Sequence, residues 1–108
     1  MGYKPEEWVL VRITGTDPHY SVFGSWRGGY LHGDSWRMNS GVVAVEEDGD
    51  FYIFKGGSGS TYACHKEAYG IRSPYNSSIL YEFCNNSADK MVALEEIPDI
   101  MNIDWFAK

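Results

Sequence analysis

The chain is short of most features that would fix a function. Its two cysteines, Cys64 and Cys84, in 108 residues are too few for a disulfide framework and read as free, partly buried thiols. No CxxC, HxxxH or HExxH spacing occurs, so no metal or other cofactor is expected. No run approaches the roughly 20 apolar residues of a membrane helix, and the opening MGYKPEEW lacks the apolar stretch of a signal peptide. The chain is therefore expected to be soluble and cytoplasmic, with no membrane partner. A basic cluster is missing as well. Nine Lys and Arg against fifteen Asp and Glu leave a net charge of −6, and the nine are scattered from Lys4 to Lys108, so a phosphate backbone is disfavoured as a partner.

Glycine is absent from the last 38 residues, since all twelve glycines lie at or before Gly70. Dense glycine suggests short strands and tight turns, and its absence afterwards permits helix. Trp8–Thr14 reads as a first strand, ended by Gly15-Thr16-Asp17-Pro18, and His19–Trp26 as a second. In the second, Tyr20, Val22, Gly24 and Trp26 share one face, and Ser21, Phe23 and Ser25 the other. The runs Gly41–Glu47 and Asp50–Lys55 flank Asp48-Gly49, a dipeptide that favours a two-residue hairpin. Both faces of this hairpin carry apolar residues, which suggests a central or covered position. Ser60–His65 closes the meander.

Beyond Gly70, Asn76, Ser77 and Ser78 can each cap a helix that ends at Asn85-Asn86-Ser87. Its residues Ile79, Leu80, Phe83 and Cys84 form a stripe able to lie on the sheet. Met91–Leu94 suits one more strand, and Pro98–Phe106 fits either a short helix or irregular structure. The expected architecture is one α+β domain spanning 1–108. It has an antiparallel β-meander of five or six short strands (8–65), a covering C-terminal helix (76–87), and a short strand with a possible short helix (90–106). A partly closed, SH3-like barrel is the alternative; that comparison rests on strand count and order and transfers no function.

The segment 24–41, GSWRGGYLHGDSWRMNSG, repeats Ser25-Trp26-Arg27 as Ser35-Trp36-Arg37. Aromatic and arginine side chains concentrate at the energetic centres of interfaces. Trp26, Arg27, Tyr30, His32, Asp34, Trp36 and Arg37 are the candidate binding residues, clustered around glycine turns. Against this stands burial of both tryptophans in the core of a small β domain. The same rings could instead stack on a sugar or nucleobase, with Asp34, Asn39 and Ser40 as polar contacts.

Catalysis has one opening, Cys64 beside His65. Neighbours in a strand point to opposite faces, so Cys64 would need His19 or His32 from elsewhere to become a thiolate. Gly56-Gly57-Ser58-Gly59-Ser60-Thr61 lacks the lysine of a phosphate loop and reads as a turn. The acidic groups Glu46, Glu47, Asp48, Asp50 and Glu95, Glu96, Asp99, Asp104 are solvated turns, or a partner surface that attracts a basic protein or imitates nucleic acid. The resulting expectation is a small, acidic, non-enzymatic domain of accessory or inhibitory type that binds another protein. A sugar- or nucleotide-binding module and a cysteine-dependent enzyme are the alternatives, and monomer and homodimer are both open.

Overall fold

The computed structural model describes residues 2–15, 17–28, 33–86 and 90–105. Eight strands are described: β1 (Gly2–Tyr3), β2 (Glu7–Thr14), β3 (His19–Trp26), β4 (Ser35–Met38), β5 (Val42–Asp48), β6 (Phe51–Gly56), β7 (Thr61–His65) and β8 (Lys90–Ala93). A helix, α1 (Pro74–Asn86), precedes β8, and a 3₁₀ turn covers Ile100–Asn102. The α+β class and the antiparallel meanders are as the sequence suggests. The strands, however, divide between two four-stranded sheets, ordered β1-β7-β6-β5 and β4-β3-β2-β8, rather than forming one ribbon. Each sheet is a three-strand meander with one extra edge strand: β1, which pairs parallel to β7, or β8, which pairs antiparallel to β2.

The near-continuous apolar run of β2 follows from its place as a middle layer, because a strand buried on both faces shows no polar alternation. Trp8 and Leu10 face the first sheet, in a core with Val22, Val42, Phe54, Tyr62, Cys64, Ile100 and Trp105. Val9, Val11 and Ile13 face α1, in a core with Phe23 and Leu80. Trp8 also holds the two sheets in register. Its indole Nε1 donates to the His65 carbonyl at 2.8 Å, and its ring meets Tyr69 edge-on at 4.8 Å and Phe54 at 5.3 Å. The faces of β3 fall as its alternation requires, with Val22 in the inter-sheet core and Phe23 beneath the helix.

The hairpin turn sits one residue later than the sequence suggests. Asp48 pairs with Phe51, leaving Gly49-Asp50 as the loop. Only Gly49 has positive φ, +58°, the position at which a type II′ hairpin takes glycine. β5 is an edge strand rather than a central one. Its residue Val43 is exposed, at the irregularity between Val42 and Ala44.

The helix starts earlier than the candidate caps Asn76, Ser77 and Ser78. Ser73 is the cap: its Oγ accepts from Asn76 N at 3.2 Å and its carbonyl accepts from Ser77 N at 2.8 Å. Pro74 follows at the first helical position, where a missing N–H costs nothing. Leu80 is buried and Ile79, Phe83 and Cys84 are half-buried, so the helix covers the second sheet shallowly. The C-terminal stretch is irregular apart from the 3₁₀ turn, with Ile100 and Trp105 buried.

Candidate functional site

Segment 33–38 is not a free excursion, because Ser35–Met38 forms β4, the edge strand of the second sheet. The two Ser-Trp-Arg copies do pair, but antiparallel and offset. Ser25 lies opposite Trp36 and Trp26 opposite Ser35. Residues directly opposite share a face, so the two tryptophans point to opposite sides of the sheet.

On the side facing the first sheet, Trp26 is half-buried. Its Nε1 donates to the Lys4 carbonyl at 3.0 Å and its ring meets Tyr3 at 6.4 Å. Arg37, opposite Gly24, lies on this side with its guanidinium 4.5 Å from the Tyr3 ring centroid. Tyr3 in turn packs 5.1 Å from Tyr62. Burial pushes the Tyr62 hydroxyl up to about 12, against the opposing pull of Arg37. These two candidates are thus occupied in joining the sheets. Arg27 is exposed, and its backbone N–H donates to Glu6 Oε2 at 3.1 Å.

Asp34 accepts a hydrogen bond from Ser73 Oγ at the start of α1. Asn76, fully buried, donates from Nδ2 to Ser25 Oγ at 2.8 Å and to the Ser35 carbonyl at 2.7 Å. Asp34, Ser73, Asn76 and Ser25 therefore stitch the helix start to β3 and β4. Tyr30 and His32 lie outside the described residues.

Trp36 has a different environment. Its ring stacks on Phe23 at 5.6 Å with 5° between planes and meets Phe83 of α1 edge-on at 5.1 Å, yet it remains 36% exposed. It forms one wall of an open, largely apolar groove of about 540 Å³ lined by Ile79, Glu82, Phe83, Asn86 and Met91. The helical residues are spaced i, i+3, i+4 and i+7, one stripe of α1. A second groove of about 530 Å³, with Leu80, Tyr81, Cys84, Met91 and Glu95 among its walls, runs along the other flank of the helix.

Of the five candidates among the described residues, then, the structure leaves Trp36, Arg27 and Arg37 exposed and does not bring Trp26, Arg37 and Trp36 into one cluster. Of the groove residues of α1, Ile79 and Phe83 belong to the stripe expected to lie on the sheet, and Asn86 to the expected helix end. The apolar pair Ile79 and Phe83 is legible in the sequence, but not that Trp36 of a distant strand stands beside it.

The other chemical candidates are differently placed. Cys64 is fully buried and burial pushes its thiol up, so the reactive thiolate is disfavoured. The His65 ring packs against Phe51, 5.1 Å away, and Cys64 joins the inter-sheet core. Asn39 holds the crossing between the sheets: its Oδ1 accepts from Val22 N at 2.9 Å, and its N–H donates to the Val22 carbonyl at 3.0 Å. Among the described residues no three His, Cys, Asp or Glu side chains gather as metal ligands, and no helix is long and apolar enough to cross a membrane. Compared with protein-family models, curated proteins and solved structures, the chain matches none.

Proposed function

We propose that this chain is a non-enzymatic protein-binding domain, of accessory or inhibitory type, whose contact surface centres on Trp36. The observation that carries the reading is a large ring fixed by packing on one side and open to a groove on the other. Interfaces draw most of their energy from such rigid aromatic anchors, because little side-chain entropy is lost on binding. β4, as a sheet edge, extends the surface beside the ring. The small-ligand alternative is weakened by Asp34, which accepts from Ser73 Oγ, and by Asn39, which is buried with its Oδ1 bound to Val22 N.

The test is affinity capture from the native host with wild type, Trp36→Ala and Arg37→Ala side by side, each first shown to be folded by circular dichroism. Trp36→Ala should lose the partner, and Arg37→Ala, on the opposite face, should keep it. Retention by Trp36→Ala would refute the reading.

A further inference from the structure

We infer that the Trp36 groove receives a basic amphipathic helix of a partner protein; the inference rests on the protein-binding reading above and specifies the partner's chemistry. Three features of the surface agree on the sign of the charge. Glu82 is the one charged residue within α1, whose last turn holds no basic residue, so the negative end of the helix dipole is not offset there. The walls of the two grooves flanking α1 carry Glu82 and Glu95, and no lysine or arginine among the described residues. Lys90, exposed and next to Met91 in sequence, lines neither groove. The net charge of −6 adds a long-range attraction for a cation.

The shape agrees with a helix as the occupant. The wall from Ile79 to Asn86 covers seven residue steps, about 10 Å along the axis. That is two turns, the length over which a bound helix places anchors at i, i+3 or i+4, and i+7. Apolar anchors would sit against Ile79, Phe83 and Met91. A flanking lysine or arginine would reach Glu82 and the open face of Trp36, where a cation is attracted by the ring.

The probes are three synthetic peptides: a leucine–lysine amphipathic helix, a leucine–glutamate helix with the same apolar face, and a scrambled leucine–lysine sequence. Binding is followed by calorimetry and by ¹H–¹⁵N spectra of the full chain. The leucine–lysine helix should bind roughly tenfold or more tightly than either control, shifting the Trp36 indole and the amides from Ile79 to Asn86. Glu82→Gln should weaken it by roughly twofold to fivefold, and Glu82→Lys, an exposed change that leaves packing intact, should reverse the preference between the two helices.

Equal binding of the leucine–glutamate helix in this groove would overturn the cationic assignment and leave the protein-binding reading standing. Equal binding of the scrambled peptide would reduce the effect to bulk charge and overturn the helix. If no peptide shifts the groove, the inference fails alone where capture still depends on Trp36, and both readings fail where it does not.

Discussion

Trp26 and Trp36 begin from the same tripeptide and finish in different roles, and the register of one strand pair decides it. An offset of one residue sends one ring between the sheets and the other toward the helix. Burial then sorts polar groups in the same way. Glu7 is the clearest case, with its side chain 13% exposed and Oε2 2.8 Å from Arg72 Nη1. Burial alone would raise its pKa, but the Arg72 guanidinium and backbone N–H, with Arg27 farther off, hold it below the ordinary 4.5. A depressed carboxylate contributes stability above the unfolded-state value and loses it as pH falls through the folded one. Arg72 is largely exposed, so the gain stays below about 1 kcal/mol. Urea melts of wild type and Glu7→Gln should show a stability gap at neutral pH that closes below 4.5; a gap independent of pH would contradict this role.

At the scale of elements, the association of α1 with β4 builds the groove. Asn76 makes the link, as a buried amide with hydrogen bonds to Ser25 and Ser35. Asn76→Ala strands those partners and should cost about 1–3 kcal/mol in chemical denaturation, with the Trp36 indole signal moving in the folded state. An unchanged midpoint would show that the helix is held by its apolar stripe alone. The hairpin, the alternation of β3 and the stripe of α1 were all readable in the sequence, since each is local and set by turn chemistry or a short period. What was not readable is non-local. β4 is four residues with one half-buried position, Met38, too short and too polar to announce itself. The parallel pairing of β1 depends wholly on β7. The cap at Ser73 was hidden by three later residues with equal capping chemistry, and Pro74 settles the choice by favouring the first helical position.

For the whole molecule, the three layers place the proposed recognition surface outside the main core. The inter-sheet core, with Trp8, Phe54 and Tyr62 fully or almost fully buried, holds most of the large rings. α1 contributes one buried apolar residue, Leu80, and leaves Tyr81 71% exposed. A shallowly seated helix beside an open tryptophan would supply the proposed docking surface without drawing on the main core. The most direct test of that division is site-specific photo-crosslinking in the native host, with a benzophenone side chain at position 82 beside the groove or at position 46 on the far hairpin. Position 82 should yield a discrete adduct of one partner mass and position 46 none. A discrete adduct from position 46 alone would place the contact surface on the other sheet and contradict the account.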